Sequence, residues 1–402
     1  MDRIAAVAAG LAVPALVSGR VTMAVLCALA LAGTLAAPGA RAAGRALVRA
    51  WRGLLGLAVT VLLGAWLAAT ALSFDPWASL QVWARMAVFV PATVLLGLAL
   101  AADGARLDLT LRALVAGSVV AATLALVGST LWPDALALAR GKAPEWTAHD
   151  AAAAVKGFGS ALACLMPMVL WAGWHLGGLW RVTALAFQPL ALAAMVVADS
   201  DAGLAGAALA GAVLAMAALW RAGALILVVA VGAGGAAAAI LVGLGPLAEA
   251  FATVDPHRAA IWQAALSYLP GAPVLGHGLD VVNLLPGADP VVPAFNQARI
   301  PSHPHDWAVE VLVETGVVGF GALLAALGAL AWSFARAGRF AGAGGLALMA
   351  AFWGSGLVNF SVWVAWWQGV FLLLGAFAMA GAAPAVLGPS ARTGSAPAAG
   401  DT

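Results

Sequence analysis

Apolar stretches recur along nearly the whole chain, broken at short intervals by Gly, Pro or a few charges. A helix rises about 1.5 Å per residue, so about 20 apolar residues cross a ~30 Å hydrocarbon core. By that measure the pattern predicts spans near residues 4–18, 20–37, 53–73, 86–102, 109–131, 157–175, 179–198, 203–220, 223–246, 307–331, 341–358 and 362–382. The first two are short and predict a tight pair. The expectation is an all-α, polytopic membrane protein of about twelve transmembrane helices, one transmembrane domain over residues 1–382. Residues 383–402, rich in Ser, Gly and Ala, predict a disordered cytoplasmic tail. The apolar run after Met1-Asp2-Arg3 is expected to be an uncleaved first helix, not a signal peptide.

Two polar segments interrupt this pattern. One runs from Pro133 to Lys156 and carries Arg140, Lys142, Glu145, His149 and Asp150. The other, from Leu247 to Asp306, holds Pro256, Pro270, Pro273, Pro286, Pro290, Pro293, Pro301 and Pro304. A loop this long is functional or disordered. Within it a helix-like piece from Arg258 to Tyr268 and the turn Gly276-His277-Gly278 predict order.

Composition agrees with the pattern. Apolar residues make up 64% and charged residues 9%, against roughly a quarter charged in soluble domains. The net charge of +2 identifies no partner, and no nucleic-acid partner is expected. The distribution of charge is more telling. With a cytoplasmic N-terminus, the inner loops hold Arg41, Arg45, Arg49, Arg52, Arg106, Arg181, Arg221, Arg336 and Arg339, as the positive-inside rule favours. Arg20, Arg85, Arg140, Lys142, Lys156, Arg258 and Arg299 then face outward. Cys27 and Cys164 lie in apolar runs and read as core residues. No CxxC or HExxH pattern encodes a metal site.

The candidate chemistry gathers on the outer side. Arg258 and Trp262 are four apart and share a helix face. A guanidinium binds phosphate bidentately, although Arg and Trp also anchor helices at interfaces. In Pro301-Ser-His303-Pro-His305-Asp306-Trp307, Asp306 can cap the next helix. That places His305 at a helix mouth, able to take a proton from a hydroxyl. His303 is the weaker candidate, and His257 and His277 read as structural. Glu310 and Glu314 favour the helix dipole but lie deep for charges. Lys156 and the Asp199-Ser200-Asp201 turn are further outer polar sites.

Taken in order, Arg258-Ala-Ala-Ile-Trp262, Pro273-Val-Leu-Gly276-His-Gly278-Leu-Asp280, His303-Pro-His305-Asp306 and Glu314-Thr-Gly316-Val-Val-Gly319 resemble the bacterial O-antigen ligase and polymerase family. The resemblance implies a glycosyltransferase of the bacterial inner membrane, with its active site facing the periplasm. Such enzymes move a glycan from an undecaprenyl-pyrophosphate carrier to an acceptor hydroxyl, on lipid A core or another glycan. They invert the anomeric centre and use no metal, cofactor or nucleotide sugar. By motif position His305 matches the family's base and Arg258 the arginine on the pyrophosphate. Lys156, Arg299, Trp262, Asp306 and Glu314 are the expected substrate-binding residues. The family carries Asn where Asp306 stands, and an added negative charge is expected to raise the pKa of His305. No arginine follows Ser200, which leaves Lys156 as the nearest second cation. Ligase and polymerase, including an exopolysaccharide polymerase, both remain open. A polysaccharide or lipid transporter and an inactive scaffold are the readings from other classes.

Overall fold

Ten helices among the described residues, 2–386 of a computed structural model, are long and apolar enough to cross a membrane. They are α4 (Leu54–Ala71), α5 (Pro76–Ala101), α6 (Gly104–Thr130), α8 (Ala148–Leu176), α9 (Leu179–Val197), α10 (Asp201–Leu219), α11 (Arg221–Gly243), α14 (Trp307–Arg336), α15 (Arg339–Ser355) and α16 (Ala365–Val386). The all-α polytopic class expected from the sequence is the class observed.

The N-terminal pair departs from expectation. The first helix, α1 (Asp2–Ala12), ends before Pro14, and a 3-10 turn over Pro14–Ser18 leads to Gly19 at φ +121°. Thr110 Oγ1 of α6 donates to the Ala6 carbonyl at 3.1 Å, tying α1 to the bundle. The next helix, α2 (Arg20–Leu35), meets α3 (Ala40–Trp51) at a bend of 101°. Pro38 and Gly39 lie in that break, and neither favours continuing a helix. Arg41, Arg45 and Arg49 recur at fours along one face of α3. The count is therefore ten, or up to eleven if the bent pair is one span, where the sequence pattern suggests about twelve. Helix α16 runs through Val386; the rest of the expected tail lies outside the described residues.

Chain alternation puts all the site-bearing connections on one face. These are the start of α2, residues 72–75, 131–147, 198–200, 244–306 and 356–364. The segment 131–147 includes α7 (Pro133–Ala139). The opposite face holds α3 and the turns near 103, 178, 220 and 338. Close packing at the centre uses small residues: a Cβ on Gly206 of α10 would stand 2.9 Å from the Ala351 carbonyl of α15.

The long loop is ordered, as expected. It contains α12 (Ala248–Ala252), α13 (Pro256–Leu266), and a hairpin of β1 (Val291–Val292) and β2 (Gln297–Ala298) paired antiparallel. Its apolar underside, including Ile261, Val282, Leu285 and Ile300, packs on Val309 and Val313 of α14. Burial of that surface outweighs the entropy of so many loop residues.

Candidate functional site

Asp255 begins the site by capping α13: its Oδ1 accepts from the Arg258 N–H at 2.9 Å. The same carboxylate meets Arg258 Nη1 at 2.5 Å, while Arg258 Nη2 donates to the Val358 carbonyl at 3.2 Å. Burial opposes ionisation of Asp255, but hydrogen bonds and charge from Arg258 hold its carboxyl below the usual range. Arg258 is thus clamped from two sides, and among the described residues its buried Nε has no hydrogen-bond partner. One turn on, Trp262 is buried; its Nε1 donates to the Pro304 carbonyl at 3.0 Å and its ring stacks on Phe251. The indole expected to touch substrate instead anchors the histidine loop.

Asp306 caps α14 as expected, with Oδ1 accepting from Ala308 and Val309 N–H at 2.8 and 2.9 Å. Its Oδ2 is buried without a partner. Burial raises its pKa to about 7 despite the two backbone donors. His305, at φ +59°, turns its side chain back toward His303, and the two rings lie 4.2 Å apart. His303 Nε2 lies 3.1 Å from the Asn359 carbonyl, so that nitrogen carries the proton; Nδ1 faces Ser302 Oγ at 2.8 Å.

The pKa of His305 is lowered to about 4. Burial is the main cause, then the positive charges of His303 and Arg258, with the Asn359 carbonyl opposing. This corrects the expectation that Asp306 would raise it. Asp306 turns its ordered oxygen into the helix end, and its own carboxyl is held toward the neutral form.

Glu314 also differs from expectation. It is fully buried, and its oxygens accept from the backbone N–H of Asp280, Val281 and Val282 and from Trp363 Nε1. Those donors use its acceptor capacity, so it is a clamp on the loop rather than a ligand contact. Glu310 similarly accepts from Val362 N–H at 2.9 Å. Two residues after Glu314 the chain breaks at Gly316, with φ +61° and ψ −173°. Residues 273–278 lie in that break: Gly278 N–H donates to the Glu314 carbonyl at 2.9 Å, and Val317 N–H to Pro273 at 3.0 Å. Gly276, Gly278 and Gly316 of the sequence signature are therefore points where loop and span touch backbone to backbone.

Two expected cations lie apart from this cluster. Lys156 is exposed and pairs with Asp199 at 3.2 Å. Arg299 is exposed on the hairpin. Among the described residues no hydrogen bond or ion pair joins either side chain to His305 or Arg258.

The sequence reading missed the connection between α15 and α16. Val358 takes Arg258, Asn359 takes His303, and Arg85 of α5 donates to the Trp363 carbonyl. Asn359 Nδ2 reaches Ser160 Oγ of α8 at 2.6 Å. The signal was a polar Asn359-Phe-Ser361 between apolar runs, which reads as a plain turn. Just below Asp306, an apolar cleft lined by Val228, Gly232, Trp307, Leu327, Met349 and Trp353 runs between α11, α14 and α15.

A neutral imidazole beside a clamped arginine, above an apolar cleft, can accept a proton while a neighbouring cation offsets negative charge. Residues 158–324 match the family model described as O-antigen ligase. Those residues are an O-antigen ligase domain. No curated protein matches the chain. The residues matched to this O-antigen ligase model include Arg258, Trp262, His305, Glu314, Gly316 and Gly319; Lys156 lies just before them. The family the chain resembles is one of glycan ligases and polymerases, and the ten apolar helices agree with a multi-pass membrane protein. Among the described residues no group of three or more His, Cys, Asp or Glu is placed to hold a metal ion.

Proposed function

We propose that this protein transfers a glycan from an undecaprenyl-pyrophosphate carrier to an acceptor hydroxyl at the periplasmic face of the bacterial inner membrane, as a ligase acting on lipid A core or a similar acceptor. The observation that carries the reading is His305, half-buried, neutral and within the electrostatic reach of Arg258 at the mouth of α14. The surplus of arginines on the opposite face supports the orientation.

In this mechanism the carrier's polyprenyl chain lies in the cleft beside Trp307 and its pyrophosphate sits at Arg258. The acceptor hydroxyl oxygen attacks the anomeric carbon from the face opposite the pyrophosphate, and its proton passes to the His305 imidazole. The bond from the anomeric carbon to the pyrophosphate oxygen breaks, and inversion follows. Charge grows on the leaving pyrophosphate, where the partly exposed guanidinium of Arg258 offsets it. Protein cations and hydrogen-bond donors serve the leaving group, so no metal enters this scheme. General-base assistance of this kind contributes roughly 10²–10⁴ in rate.

Purified protein supplied with a lipid-linked glycan and an acceptor tests the proposal. His305→Ala and Arg258→Ala should each abolish transfer while leaving the protein folded. Transfer at the wild-type rate in both variants would refute the mechanism.

A further inference from the structure

On the face that carries His305, but outside the residues matched to the family model, a second cationic cluster has no ion-pair partner among the described residues. Arg20 opens α2 and is exposed, its guanidinium carbon 5.4 Å from the centroid of the Trp366 ring. Arg140 follows α7 and donates through Nη1 to the Val17 carbonyl at 2.9 Å, which fixes it beside the start of α2. Burial, and then the charge of Arg20, push the pKa of Arg140 down, so the two guanidiniums feel each other. Among the described residues neither pairs with a carboxylate. Holding two like charges together is unfavourable unless an anion joins them.

This cluster is continuous with the reaction site. Trp366 packs edge-on to Phe360, with ring centroids 4.9 Å apart. Phe360 follows Asn359, whose carbonyl holds His303. Gly157 of α8 admits both rings: a Cβ there would lie 3.3 Å from Phe360 and 3.7 Å from Trp366. His303, Asn359, Phe360, Trp366 and Arg20 therefore form a path from the imidazoles to the paired arginines. Trp366 Nε1 is buried with no partner along it.

We propose that Arg20 and Arg140, with Trp366 beneath Arg20, form a subsite for a phosphate-bearing saccharide acceptor and orient its hydroxyl toward His305. A phosphate group offers three oxygens and can accept from two guanidinium forks at once, whereas a carboxylate fits a single fork. Aromatic rings on the path present apolar faces suited to the C–H faces of sugars. The role of this subsite as an acceptor site rests on the glycan-transfer reading; its preference for phosphate does not.

The full-length protein in phospholipid-free detergent should be titrated calorimetrically with a short phosphorylated oligosaccharide and with the same oligosaccharide after dephosphorylation. The phosphorylated form should bind about tenfold more tightly or better. Arg20→Gln and Arg140→Gln should each erase that preference, Arg20→Lys should keep part of it, and Arg181→Gln on the far face should keep all of it. In transfer assays Arg20→Gln should raise KM for a phosphorylated acceptor far more than it lowers kcat. Equal binding of both oligosaccharides by the wild type, or equal weakening of both by the variants, would overturn the proposal. So would a result in which the variants alter only the stabilisation by phosphatidylglycerol in nanodiscs, since that marks a lipid-headgroup anchor. A phosphate preference in a protein that transfers no glycan would instead refute the transfer reading and leave the anion subsite standing.

Discussion

Gly316 faces the Val274 carbonyl so closely that a Cβ added to it would stand 2.3 Å from the carbonyl carbon and oxygen. The residue also sits at φ +61°, where an L side chain is strained by roughly 1–3 kcal/mol. Gly316→Ala should therefore push residues 273–278 out of the break in α14. The expected result is a lowered Tm, cleavage of the 273–285 segment in limited proteolysis, and loss of transfer. Gly321→Ala is the control: nothing lies within 4 Å of a Cβ there, and Ala in a helix interior is neutral or stabilising by roughly 0.5–1 kcal/mol.

The pH dependence of transfer should report His305. An ordinary histidine loses its basic form near pH 6.5, whereas His305 is neutral down to about 4. Protonation removes the base, so kcat/KM should stay level from neutral pH to about pH 5 and fall only through the region near 4. A pH profile with its acid limb near 6.5 would contradict the half-buried, cation-flanked setting of the ring.

Asp306 makes an opposite prediction about stability. Its carboxyl has a raised pKa of about 7 in the folded protein, against roughly 3.9 when unfolded. The folded state then binds the proton more tightly, so Asp306 favours folding at low pH. That contribution is lost as pH rises through about 7. Asp306→Asn keeps an oxygen for the Ala308 and Val309 N–H groups. It should be more stable than the wild type at pH 8 and equal to it near pH 4, as followed by thermal unfolding across that range. Asp306→Ala should lose the cap, at a cost of about 1 kcal/mol.

Arg258→Lys isolates geometry from charge. A lysine ammonium is a point donor and cannot bridge Asp255, the Val358 carbonyl and a pyrophosphate in one plane. Transfer should fall by about tenfold or more while the amount of folded protein in the membrane is maintained. Wild-type rates in Arg258→Lys would show that charge alone suffices.

Most of the architecture was legible because its signal is local. Runs such as 203–220 and 223–246 are apolar throughout, and Asp306 announces the start of α14 by its place before Trp307. The short N-terminal segments were less legible, because whether Pro14 and Pro38 end a helix or bend it depends on what packs beside them. The roles of Trp262 and Glu314 were hidden for a related reason. Each is spent on a backbone far away in sequence, Pro304 in one case and residues 280–282 in the other. A type of residue suited to ligand contact gives no hint of such a partner. Asn359 was missed because it works largely through its main-chain carbonyl, which any residue possesses.

The nine residues between α15 and α16, 356–364, hold more than their length suggests. Val358, Asn359, Val362 and Trp363 grip Arg258, His303, Glu310 and Glu314 respectively. The histidine beside the base, the cation and the loop clamp are thus pinned to one short strap whose ends are the tips of two buried helices. A small slide of α15 against α16 would displace all of them in concert, so the protein has a single mechanical handle on its chemistry.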